Sequence, residues 1–94
     1  MIYRTLIRPA ELQTQLRDAA DSTVVFDCSF DLSDTEAGTF AYDGGHVPGA
    51  LYLHLDDDLS GAKTGSNGRH PLPPRHTFCE RMAALGVGDE TQVV

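Results

Sequence analysis

Two cysteines, four histidines and fourteen carboxylates are the residues of this 94-residue chain with the most capacity for chemistry. A cysteine acts as a nucleophile only as its thiolate, which needs neighbouring cations or oriented N–H groups. Cys28 lies in Asp27-Cys28-Ser29-Phe30-Asp31, where the carboxylates raise a thiol pKa, and Cys79 is followed by Glu80. The two are too far apart for a CxxC pair, so both are expected to be structural, buried thiols. His46, His54, His70 and His76 lack the close paired spacing of zinc ligands. Asp56, Asp58, Ser60 and Gly61 match the first half of a calcium loop, but the closing bidentate carboxylate falls on Asn67, which cannot supply it. Gly61-Ala62-Lys63-Thr64 approaches a phosphate loop but has Ala62 where glycine must precede the lysine. No metal and no cofactor is expected.

The elements that must position these groups alternate between helical and strand patterns. Pro9 suits a first helical turn, and Leu12, Leu16 and Ala19 or Ala20 recur at helical spacing to about residue 20. Thr23 to Cys28 is a short run rich in β-branched residues. Its consecutive Val24, Val25 and Phe26 predict a strand buried on both faces, as in a parallel sheet covered by helices. Asp27 and Cys28 then fall at the carboxyl end of that strand, where open α/β sheets collect binding groups, although Asp27 serves equally as a turn residue. Turn formers dominate 29–45, with a weak helical turn at 36–42. Leu51, Leu53 and Leu55 alternate with Tyr52 and His54, predicting a strand with two different faces. Residues 56–76 form a long loop with a turn at Asn67-Gly68. A second helix is expected from Pro74 or Thr77 to Leu85. It has a Phe78, Met82 and Leu85 stripe, and Gly86 is the left-handed residue after it. Thr91 to Val94 opens another buried strand, which leaves the sheet incomplete at the C-terminus. The chain is therefore expected to be truncated.

Composition bounds the function. Apolar residues make up 40% and charged residues 22%, a globular balance sufficient for one domain. Seven basic against fourteen acidic residues give a net charge of −7, which disfavours nucleic acid and anionic lipid as partners. There is no membrane-length apolar run and no secretory pattern at the N-terminus, so the cytoplasm is the expected compartment.

The run Tyr42-Asp43-Gly44-Gly45-His46-Val47-Pro48-Gly49-Ala50-Leu51-Tyr52-Leu53 resembles a signature of the rhodanese and mercaptopyruvate sulfurtransferase family. The signature consists of an aromatic residue, then His, an aliphatic residue and Pro-Gly-Ala at fixed offsets, with a further aliphatic residue three positions on. Val24 to Ser29, Leu55 to Ser60, Gly68 to Pro73 and Ala84 to Val94 resemble the family's flanking stretches in two-domain bacterial members. The resemblance implies a rhodanese-like three-layer α/β/α domain with a parallel sheet, with 1–94 a partial N-terminal domain. It further implies a catalytic C-terminal domain whose cysteine takes sulfane sulfur from thiosulfate or 3-mercaptopyruvate as a persulfide and passes it to cyanide or a thiol. The family's active loop begins Cys-Arg, and neither Cys28 nor Cys79 is followed by arginine, so no catalytic residue is expected in this chain. Asp27, His46, Pro48, Gly49 and Ala50 are expected to be structural, His46 by bonding backbone groups around the turn. Arg69 and His70 are candidates for attracting a small anionic sulfur donor or lining an interdomain surface. The alternative reading is a self-standing interaction module that associates through its open sheet edge.

Overall fold

The computed structural model describes residues 2–94. Helix α1 spans Pro9–Asp18 and begins as the sequence predicts, with Pro9 in its first turn. Glu11 secures that start by accepting the Arg8 N–H at 2.9 Å. A 3₁₀ turn over Ala20–Ser22 leads into β1 (Thr23–Val24) and β2 (Phe26–Asp27). The Gln15 amide donates to Thr23 Oγ1 at 3.0 Å, tying α1 to the start of the sheet. Helix α2 (Ala37–Gly44), β3 (Leu51–Tyr52), α3 (Arg75–Ala84) and β4 (Gln92–Val93) follow.

β1 pairs parallel with β4, and β2 pairs parallel with β3. Backbone bonds make residues 23–27 the middle of the arrangement. On one side Leu51 N–H donates to Val25 O at 2.9 Å and Leu53 N–H to Asp27 O at 3.0 Å. On the other, Val94 N–H donates to Val24 O at 2.9 Å and Phe26 N–H to Val94 O at 2.8 Å. Each parallel return passes through a helix, α2 or α3, as parallel pairing requires.

Two expectations are corrected. The central strand is not buried throughout: Val25 is buried, while Val24 and Phe26 are half-buried. In the apolar stripe of α3, Met82 and Leu85 are half-buried but Phe78 is exposed, and no residue of α3 is fully buried. Too few neighbouring elements cover these faces to exclude water from them. The buried apolar side chains are Val25, Ala50 and Leu53.

Helix α3 starts at Arg75 behind Pro74, three residues before a start from the Thr77 and Glu80 capping pair. Its end is as predicted. Gly86 has φ 97°, Gly86 N–H bonds Ala83 O, and Val87 N–H reaches Met82 O, both at 3.0 Å. This is the paired bonding of a Schellman end, which satisfies carbonyls that the last turn leaves open.

Candidate functional site

The signature residues assemble a hinge between α2 and β3. The His46 ring stacks on Tyr42 with centroids 3.7 Å apart and planes 7° from parallel. His46 Nδ1 lies 2.7 Å from Tyr42 O, so it carries a proton and donates to that helix-end carbonyl. Gly49 has φ 81°, and Ala50 N–H donates to Val47 O at 2.9 Å. Proline second and left-handed glycine third is the pattern of a type II turn. Beyond the turn Ala50 is buried, and its carbonyl accepts the Tyr42 hydroxyl. Every bond of His46, Pro48-Gly49 and Ala50 described here stays within 42–50, and together they shape the turn that leads into β3.

β2 and β3 deliver a second group of side chains to the carboxyl edge of the sheet. Asp27 Oδ1 accepts the Ser29 N–H at 3.0 Å. Hydrogen bonds from Ser29 hold the Asp27 carboxyl below the usual carboxylate range, against a smaller opposing effect of burial. Between them, Cys28 is exposed rather than buried, which corrects the expectation. Partial burial of its sulfur and then the charge of Asp27 push the thiol above its ordinary value. The Tyr52 hydroxyl donates to Ser29 O at 2.7 Å. Gly38 of α2 packs against the same spot, where a Cβ would overlap Ser29 O and the Tyr52 hydroxyl. Cys79 is exposed too, on α3.

His54 is the residue here that sequence reasoning passed over. Alternation of Leu51, Leu53 and Leu55 with Tyr52 and His54 predicts only a strand with two different faces and no role for His54, yet it is 8% exposed. Its Nδ1 faces the N–H groups of Asp56 and Asp57 at 3.1 and 3.3 Å, and its Nε2 faces Thr35 O at 2.9 Å. The donors fix Nδ1 as acceptor, and the carbonyl fixes Nε2 as donor. Its own N–H donates to Asp58 Oδ2 at 2.8 Å. Phe30 stands edge-on to both His54 and His70, with centroids 5.4 and 6.2 Å away.

Arg69 is exposed, and His70 Nε2 lies 3.2 Å from Asp56 Oδ1. The Asp56 carboxylate thus lies directly beside the His70 ring. Asp58 Oδ1 bonds Arg81 Nε at 3.2 Å, so Asp56 and Asp58, the first carboxylates of the calcium-like run, are both partnered within the chain. Among the described residues no group of three or more His, Cys, Asp or Glu is arranged to hold a metal ion.

Parallel strands joined through helices, with the Tyr42-to-Leu53 signature clamping the α2 to β3 return, define an α/β domain of the rhodanese class. The chain is 36% identical over 83 residues to a Pseudomonas aeruginosa protein named "Probable 3-mercaptopyruvate sulfurtransferase", covering 87% of this chain and 29% of the relative. It is 33% identical over 91 residues to a Mycobacterium tuberculosis protein named "Putative thiosulfate sulfurtransferase SseB", covering 97% and 31%. The solved 3-mercaptopyruvate sulfurtransferase from Leishmania major superposes with a TM-score of 0.72 at 30% identity, covering 85% of this chain and 22% of that one. No family model matches the chain. Over the residues matched, the chain belongs to the rhodanese-like sulfurtransferase family. It spans about 30% of the length of the curated relatives it matches.

Proposed function

We propose that these 94 residues are the non-catalytic N-terminal part of a sulfurtransferase. In that reading sulfane sulfur moves from thiosulfate or 3-mercaptopyruvate to cyanide or a thiol through a cysteine persulfide carried by another domain. The observation that supports it most is the setting of Cys28. A persulfide-forming cysteine needs a stabilised thiolate, and here burial and Asp27 both favour the thiol. The signature residues contribute by holding β3, and Arg69 and His70 contribute an interdomain surface rather than an anion site, given the pairing of His70 with Asp56.

The test is a sulfur-transfer assay on the 94-residue chain, with thiosulfate or 3-mercaptopyruvate as donor and cyanide as acceptor. The expected result is no turnover above the uncatalysed rate. Turnover that disappears in Cys28→Ala would overturn the proposal. A second reading, a self-standing interaction module, is favoured by the exposure of Leu6, Phe40 and Leu72 at 88%, 81% and 90%. Light scattering separates the two: a strictly monomeric chain that unfolds in one cooperative step counts against the module.

A further inference from the structure

The tip of the long loop between β3 and α3 is closed by one side chain. Residues 62–69 are exposed, and Asn67 is the only asparagine of the chain. Its Oδ1 accepts the Thr64 N–H at 2.9 Å, and its Nδ2 donates to Ala62 O at 3.0 Å. A backbone donor on one side and a carbonyl on the other fix which way the carboxamide faces. Below the tip, the Gly61 N–H donates to Pro71 O at 2.7 Å and closes the base of the loop.

The residue after this carboxamide is Gly68, in the left-handed region at φ 91°. Among the described residues its N–H and C=O have no hydrogen-bond partner, and nothing lies within 4 Å of where a Cβ would stand. The Gly68 peptide unit is therefore free to turn, and its nitrogen can close a ring on the Asn67 Cγ. Attack within one dipeptide has the high effective concentration of an intramolecular reaction. The Thr64 N–H points at Oδ1, where negative charge gathers as the nitrogen adds to Cγ. The folded loop thus supplies a donor that a free peptide lacks.

We propose that Asn67-Gly68 is a self-modification site, at which the folded loop converts asparagine to isoaspartate and aspartate through a succinimide. Hydroxide takes the Gly68 N–H proton, and the nitrogen lone pair forms the N–Cγ bond. The tetrahedral adduct then expels Nδ2, which leaves as ammonia after taking a proton from water and so returns the hydroxide. Water next adds to either carbonyl of the ring, and the C–N bond at that carbonyl breaks. In sum NH₂ is exchanged for OH, with no change of oxidation state. Both products lose the donor to Ala62 O and add a negative charge, and isoaspartate also lengthens the main chain by one methylene. The tip opens, while the Gly61 to Pro71 bond keeps the base in place. The change is one-way and needs neither a second domain nor sulfur chemistry.

The test incubates the 94-residue chain in mildly alkaline buffer and samples it over time. Trypsin, cutting after Lys63 and Arg69, releases Thr64 to Arg69, and chromatography with mass detection separates its asparagine, aspartate and isoaspartate forms. The comparison is the free peptide of the same sequence, blocked at both ends. The folded chain is expected to convert no slower than the peptide, with isoaspartate among its products. Its amide shifts should change at 62–68 and stay in place at Leu51 and Leu53. Thr64→Pro removes the donor to Oδ1 and should slow conversion of the folded chain several-fold without altering the rate of the corresponding peptide. Thr64→Ala keeps that N–H and should keep the parent rate. Unmoved shifts at Leu51 and Leu53 report that each variant is folded. A folded chain slower than the free peptide, or equal rates for Thr64→Pro and the parent, would overturn the proposal. So would a converted chain whose shifts at 62–68 match those of the unconverted one.

Discussion

At His54 the two ring nitrogens are fixed by what they touch. Backbone N–H groups of Asp56 and Asp57 point at Nδ1, and Thr35 O lies against Nε2, so the proton belongs on Nε2. Long-range nitrogen–proton correlation spectra of the ring should show that tautomer, and the Nδ1–H form would contradict the geometry. Replacing the ring strands two N–H donors and one carbonyl in a site that excludes most water. His54→Ala should lower the unfolding free energy by about 2–3 kcal/mol in urea titrations, from the lost packing and the unsatisfied groups together. The neighbouring Asp27 and Cys28 titrate in opposite directions from ordinary. Burial and the Asp27 charge raise the Cys28 thiol, so at pH 7 less of it is thiolate than in a free thiol and alkylation by iodoacetamide should be slow. Asp27→Asn removes the charge, keeps an acceptor for Ser29, and should speed alkylation of Cys28 at pH 7. The same carboxyl is held low in the folded chain, so its stabilising contribution is present above the unfolded value of about 3.9 and disappears as pH falls through the folded value. The difference in urea midpoint between the parent chain and Asp27→Asn should therefore shrink from pH 6 to pH 3, and a constant difference would dismiss the Ser29 bond as its cause.

Among the elements, what the sequence makes legible is what neighbours in sequence decide. Pro9 starts α1, Gly86 ends α3, and Pro48-Gly49 turns the chain into β3, each through bonds spanning five residues or fewer. Gly38 was misjudged on the same local grounds. Its poor helix propensity weakened the expectation of a helix at 36–42, yet α2 runs over Ala37–Gly44. The reason is tertiary: only glycine lets α2 lie against Ser29 O and the Tyr52 hydroxyl. Gly38→Ala should therefore destabilise by about 3 kcal/mol despite its gain in helix propensity, because overpacking against backbone has nowhere to relax. Tyr42→Phe removes only the hydroxyl bond to Ala50 O and should cost about 1 kcal/mol. Thermal or urea unfolding measures both, and a stabilised Gly38→Ala would mean that α2 stands off from β2. His54 escaped the sequence reading for the same reason as Gly38. Its burial comes from Phe30 and the turn at Thr35, which lie more than fifteen residues away.

For the whole molecule, the number of covered side chains sets the scale of stability. Val25, Ala50 and Leu53 are the buried apolar residues, joined by His54, while Leu6, Phe40 and Leu72 lie open to water. The Cα radius of gyration is 14.7 Å, against about 12 Å for a compact domain of this length. Apolar burial is the main favourable term in folding and scales with the area removed from water, so this chain should sit at or below the lower end of the usual range, about 5 kcal/mol or less. The protection it does have is concentrated where ladder bonds and buried side chains coincide. Native-state hydrogen exchange should find its slowest amides at Phe26, Leu51, Leu53 and Val94, whose N–H groups all join the central strand to its neighbours. Amides of α3, which buries no residue fully, should exchange orders of magnitude faster through local opening. The open apolar surface should bind an anilinonaphthalene dye in the folded state. Equal protection across α3 and the central strand would mean that α3 unfolds only with the rest of the molecule, and that its exposed face is covered in solution by something outside this fold.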